Sequence, residues 1–434
     1  LRMKPGDVYN QKMLEERINM DDDAIGNLYY NNGSVFARVE PVEVNVTADS
    51  VDLEIRMQEG SQATIDRVKI SGNDRLYEEV VRRELRTLPG NLFSMAGVER
   101  SYREIAQMGH FDPEKVNPNI VPNEQKGTVD VDWQLVSKSS DQIEVSAGWG
   151  QTGVIGKLSL KFTNFSMRNL FRKDGNRRGI IPQGDGQTLT ISAQSNGQYY
   201  QSYSVSFFDP WFGRKRPNSF SVSAFMSVQT DVASSYYNSA YYNNYYNYLY
   251  GYGNYNNYGY GYNNMTSYYD PDKYIKMYGL SIGWGRRLRW PDDFFQFSAE
   301  LNYQLYSLKD WQYFLITDGH CNNINLTLSL SRNSVDNPLY PRHGSEFSLS
   351  ASFTPPYSAF DGKDYANLAK DPKSSTYKQE LRDKHKWIEY YKIKFRSKTY
   401  TSLTEGKHNL VLMTRADFGI LGSYDSNKKS PFET

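Results

Sequence analysis

Asn323-Ile324-Asn325-Leu326-Thr327-Leu328-Ser329-Leu330-Ser331 alternates polar and apolar residues without a break. A period of two puts Ile324, Leu326, Leu328 and Leu330 on one face of a strand and Asn325, Thr327 and Ser329 on the other. Phe347-Ser348-Leu349-Ser350-Ala351-Ser352-Phe353 repeats the pattern, and outward from these two the same unit recurs from residue 142 to the end. The segments read as strands are 142–150, 156–164, 187–195, 199–208, 219–229, 274–287, 295–308, 321–333, 345–353, 387–400 and 409–422. Strands near 9–11 residues, apolar on one face and polar on the other, mark a transmembrane β-barrel. A soluble β-sandwich also alternates, but its strands average only about 5–6 residues. The lipid-facing set is expected to include Leu158, Leu160, Phe162, Ile324, Leu326, Leu328, Leu330, Phe347, Leu349 and Phe353. Ser159, Lys161, Asn325, Thr327, Ser348 and Ser350 are expected to face the lumen.

Composition agrees. The net charge of +1 gives no electrostatic reason to expect a nucleic acid partner. Mean hydropathy is −0.70, and no apolar run reaches the ~18 residues of a membrane helix. A barrel escapes that test because only alternate residues meet lipid. Aromatic residues are 15% of the chain, as girdles at both membrane interfaces would use. Cys321 is the only cysteine, so no internal disulfide is possible. The chain opens at Leu1-Arg2-Met3-Lys4 without the apolar core of a secretion signal, so a preceding segment is expected.

The first 140 residues carry a repeat. Leu1-Arg2-Met3-Lys4-Pro5-Gly6-Asp7-Val8-Tyr9 matches Leu85-Arg86-Thr87-Leu88-Pro89-Gly90-Asn91-Leu92-Phe93. Each is followed by a helical pattern that stops at a glycine, Gly33 or Gly109, and then by a strand, Val51 to Ile55 or Val129 to Trp133. A period near 80 residues means tandem small domains. The second copy reads β-α-α-β-β: a strand over 63–70, a turn at Gly72-Asn73-Asp74, helices near 78–85 and 95–108, and strands near 115–121 and 128–136. The first copy lacks its opening strand and first helix. The divisions expected are therefore a partial module over 1–60, a complete one over 61–138 and the barrel from 139 to 434.

This order resembles the POTRA (polypeptide-transport-associated) domain, and tandem POTRA modules running into a barrel resemble the BamA family of outer-membrane assembly factors. Three turns add to the likeness: Asn164-Phe165-Ser166-Met167-Arg168-Asn169-Leu170-Phe171-Arg172, Phe208-Asp209-Pro210-Trp211-Phe212, and Asp336-Asn337-Pro338-Leu339-Tyr340-Pro341-Arg342-His343-Gly344-Ser345. The Asn/Tyr-rich loop and Arg-rich turn are similar to versions from Bacteroides-type bacteria. The fold class implied is α+β periplasmic POTRA modules followed by an all-β transmembrane antiparallel barrel. The family barrel has sixteen strands, of which about eleven are read here; the rest, and the sixth-loop motif, are expected beyond Thr434. Short turns fall at one end and long loops at the other, except for the long link 165–186. The modules are thereby expected in the periplasm and the long loops outside the outer membrane.

By the same resemblance the protein is a non-enzymatic insertase for β-barrel proteins. Its implied partners are nascent outer-membrane proteins, accessory assembly lipoproteins, and outer-membrane lipid and lipopolysaccharide. The site carried over is the first barrel strand, at Ile143, Glu144, Val145, Ser146, Ala147 and Gly148, where the seam with the last strand opens sideways. Without the family these would be ordinary strand residues. A secretion pore of the same superfamily is the alternative. No cofactor or metal is expected. His110, His320, His343, His385 and His408 lack ligand spacing. Gly148-Trp149-Gly150-Gln151-Thr152-Gly153 has the form of a dinucleotide loop but is read as a hairpin, since a strand follows it. Glu300 and Asp417 are read with Lys392, Lys394, Arg396, Lys398 and Arg415 as lumen charge balance, not a catalytic pair. Loop 236–262 holds thirteen tyrosines in 27 residues, read as a solvated outer loop.

Overall fold

The computed structural model describes residues 4–20, 24–150, 153–171, 181–197, 199–214, 216–232, 269–313, 316–336, 340–404 and 410–429. The Tyr-rich loop 236–262 and part of the turn after Asp336 lie outside these residues. Contacts divide the chain into two units. One is Leu1–Asp141 with Thr163–Gly186, the other Gln142–Phe162 with Gln187–Thr434.

In the first unit, the leading module contains α1 (Gln11–Glu15), a π-type turn over Glu16–Met20, α2 (Ile25–Asn31), and the antiparallel pair β1 (Arg38–Val46) and β2 (Val51–Gln58). The second module is complete, with β3 (Thr64–Ser71), α3 (Glu78–Arg82), α4 (Met95–Gln107), β4 (Asn117–Asn123) and β5 (Thr128–Gln134). Its sheet order is β3-β5-β4, with β3 parallel and β4 antiparallel to β5. A parallel first pair requires a crossover, and the two helices supply it. The Ser94 hydroxyl accepts from the Gly97 amide to start α4, which buries Val98 and Ile105. These meet Ile65, Val131 and the fully buried Trp133 in one core. Gly33 and Gly109, which end the helical patterns, have φ of +82° and +73°, where a side chain is strained.

The second unit is an eleven-stranded antiparallel meander: β6 (Gln142–Gly150), β7 (Gly153–Phe165), β8 (Gln187–Ser195), β9 (Tyr200–Asp209), β10 (Asn218–Val232), β11 (Tyr269–Arg287), β12 (Phe295–Lys309), β13 (Gly319–Asn333), β14 (Gly344–Phe353), β15 (Tyr391–Ser402) and β16 (Val411–Gly422). Register confirms the alternation. Leu328 faces Ala299 and Ala351, and Leu330 faces Phe297 and Leu349. On the opposite face Asn302 donates to Asn325 at 3.2 Å, and the Thr327 and Ser352 hydroxyls are 2.8 Å apart. Leu158, Leu326 and Leu301 stay 44%, 42% and 50% exposed although each is flanked by strands. An apolar face spanning eleven strands is untenable in water and suits hydrocarbon, where the ladder satisfies the backbone internally.

The tenth strand departs from expectation. It begins at Tyr391, not at 387. Trp387 and Ile388 instead run beside β13: Asn322 N donates to Lys386 O and Ile388 N to Asn322 O, each at 2.8 Å. They belong to a cap over residues 354–390, which includes a helix at Tyr377–His385. Ile388 and Tyr390 pack with Trp311 and Ile316 on Ile275, Leu308 and Cys321, which lie at the loop end of the polar face.

Candidate functional site

β6 has nine residues, each in register with β7 from Gln142↔Lys161 to Gly150↔Gly153. β7 has thirteen and β11 nineteen. Among the described residues β6 pairs with β7 alone and forms one end of the sheet. Ile143, Val145 and Ala147 fall on the apolar face; Glu144, Ser146 and Gly148 fall on the polar face. Ile143 and Val145 are 73% and 75% exposed, against 44% for Leu158 one strand inward. The Lys157 ammonium donates to Glu144 at 3.0 Å, a half-exposed pair worth little in water. Gly148 adds no side-chain packing, and with few rungs β6 has little to hold a neighbour.

The charged residues read as lumen balance divide. Arg396 lies 3.3 Å from Asp417, and Arg415 donates to the same carboxylate. Lys398 is 3.5 Å from Glu346. Glu300 sits on β12 opposite Gly283 and Thr327, four strands away from Asp417 on β16. The two carboxylates are therefore not brought together. Among the described residues no group of three or more His, Cys, Asp or Glu is placed to hold a metal. Within the glycine pattern at 148–153, Gly148 and Gly150 lie on β6 and Gly153 opens β7, so a strand and not a helix follows it.

A polar cluster in the first unit was not foreseen. Contacts group residues 163–186 with the modules. The reason is hydrogen bonding. Asn164 donates to Arg75 O at 2.6 Å, and the amides of Gly184 and Gly186 donate to Asn164 Oδ1. Asn169 Nδ2 donates to Tyr77 Oη at 2.9 Å. Asp185 accepts from Ser166 at 2.5 Å and Arg168 at 2.8 Å. The α5 turn (Met167–Leu170) is capped by the Ser166 hydroxyl. His110 Nδ1 lies 3.0 Å from Ser140 Oγ; burial pushes its pKa down to about 4, opposed by Asp141 and reinforced by Arg75. The turn Asn164–Asn169 was the only signal in the sequence, and nothing there named its partners.

A partial module and a complete β-α-α-β-β module followed by an antiparallel meander with a continuous apolar face define an outer-membrane β-barrel protein with periplasmic modules. Residues 183–434 match the family model described as Omp85 superfamily domain, and residues 1–60 and 63–138 match the POTRA model, described as surface antigen variable number repeat. The chain belongs to the Omp85 superfamily. It is 28% identical over 216 residues to the outer membrane protein assembly factor BamA of Neisseria meningitidis, covering 49% of this chain and 24% of that protein. To the BamA of Nitratidesulfovibrio vulgaris it is 24% identical over 168 residues, 38% of this chain and 20% of that one. It spans under a quarter of these curated relatives. The crystal structure of Haemophilus ducreyi BamA lacking POTRA domains 1–3 aligns with a TM-score of 0.55 at 15% identity, covering 99% of this chain and 68% of that one. That likeness extends the fold over both units. The protein resides in the outer membrane with its POTRA modules in the periplasm.

Proposed function

We propose that this protein assembles β-barrel proteins into the outer membrane, templating client strands at the edge of β6. No covalent bond changes in this reading. The single observation that carries it is the shortness of β6, nine residues with Gly148 and Gly150 among them, which gives it few rungs with which to hold the final strand and leaves its edge free where that seam parts. An unpaired strand edge offers rows of N–H and C=O groups that recruit another strand. In lipid that recruitment is strongly favoured, since unsatisfied backbone groups cost several kcal/mol each. The likeness to assembly factors of two other bacteria supports the same reading. The partners are nascent outer-membrane proteins, accessory assembly lipoproteins, and the lipid and lipopolysaccharide around the seam.

The test is reconstitution of the full-length protein in liposomes with a urea-unfolded barrel client. Insertion, scored by the client's protease-resistant, heat-modifiable form, is expected to outpace empty liposomes. Equal rates, with passage of a soluble polypeptide through the barrel, would favour a secretion pore.

A further inference from the structure

Lys428 carries a charge in a place where charge is costly. It lies six residues past β16, yet its side chain is 3% exposed. Its ammonium is 3.2 Å from the carboxylate of Glu389, which is 0% exposed. The Glu389 carboxylate also accepts from Ser358, by the amide at 2.8 Å and the hydroxyl at 2.5 Å. Lys428 donates to Tyr365 Oη at 3.1 Å and sits 4.5 Å above the Tyr365 ring. The Tyr365 hydroxyl in turn donates to Asp361. Among the described residues the partners of the Lys428 side chain all lie in the 354–390 cap, and the cap covers the outer end of β11–β13 on the polar face.

Such a pair has an asymmetric energetics. Two buried charges contribute little net stability when paired, but removing one leaves the other buried and uncompensated, which is severely destabilising. The contact is therefore close to all-or-none. Besides the hydrogen bonds of Asn322 with Lys386 and Ile388, the cap's hold on the sheet is a small apolar contact, chiefly Ile388, Tyr390 and Leu381, so losing the charge contact tips it towards opening.

We propose that Lys428 is a latch: the chain leaving β16 holds the 354–390 cap closed over the outer end of the polar face through Glu389, and withdrawing Lys428 frees the cap. A displacement of the segment beyond β16 is thereby coupled to opening above β11–β13.

The protein contains its own reporter. Cys321 is 0% exposed beneath Ile388 and Tyr390, so an impermeant maleimide added outside labels it only when the cap lifts. In the full-length protein, with Cys321→Ser as the blank, Lys428→Met is expected to raise Cys321 labelling on the order of 10²–10³-fold. The unheated, compact gel mobility of the barrel is expected to persist. The double variant Lys428→Met/Glu389→Gln removes both charges, and its labelling is expected to return to within about tenfold of the parent. Unchanged labelling in Lys428→Met overturns the latch. So does loss of compact mobility, which would make the pair a folding element, or a double variant as open as the single one.

Discussion

Ser159 on β7 and Ser192 on β8 share a hydrogen bond, Oγ to Oγ at 2.8 Å. They lie on the second and third sheet strands, on the polar side. Period two assigns a face, but only the ladder assigns a rung.

The two faces of β13 give the first prediction. Leu328→Arg, in the middle of the apolar face, is expected to cost about 2–4 kcal/mol of folding free energy, and Thr327→Arg about 1 kcal/mol or less. Urea titration of the full-length protein in bilayers measures both. Equal losses at the two positions would contradict the face assignment.

A second prediction separates strain from clash in the complete module. Gly72 has a φ of +79°, and a Cβ there would lie 1.7 Å from Leu135 O. Gly90 has a φ of +84° with nothing within 4 Å. Gly72→Ala is expected to cost well over 2 kcal/mol and Gly90→Ala only about 1 kcal/mol. Limited proteolysis of residues 61–138 reads the difference. Similar digestion rates would sink the argument.

The third concerns pH. His110 titrates near 4 in the folded module, below the usual value of about 6.5, because burial disfavours its charged form. The unfolded chain therefore takes the proton first. The neutral imidazole's contribution is complete above about pH 6.5 and is lost as pH falls from there towards 4, on the order of 3 kcal/mol in all. His385 is likewise pushed down to about 4 by burial, with Lys384 and Lys428 adding to it, but it belongs to the other unit. A local readout is needed. Protease resistance of 61–138 is expected to fall over this window and to flatten in His110→Gln; a flat profile in the parent would refute it.

The fourth concerns β4, an edge strand that carries Pro118 and Pro122. Proline has no N–H to offer an incoming strand. Photo-crosslinkers along 117–123 are expected to capture few clients, and abundant adducts there would show that this edge recruits them.

What the sequence made legible follows from range. Strands such as β6 and β8 were placed to the residue, because alternation is local. The β-α-α-β-β order was legible for the same reason, with Gly72 and Gly109 as punctuation. The Tyr77–Asn169 contact joins positions 92 apart, and no local pattern encodes it. The cap at 354–390 looked like an ordinary outer loop, because its inward residues, Ile388 and Tyr390, read as the start of the next strand. The role assigned to Ile143–Gly148 came through family resemblance, since a strand's own residues do not say whether its seam opens.

The central claim is that the β6 edge must open. In the full-length protein, a disulfide from Val145→Cys to the facing residue of the final strand is expected to stop insertion of client barrels while leaving the protein folded in the membrane. Reductant is expected to restore insertion. The control is Ser159→Cys with Ser192→Cys, a polar-face pair that never needs to part, and it is expected to be tolerated. If the seam-locked protein inserts clients as fast as the reduced one, templating at this edge is wrong.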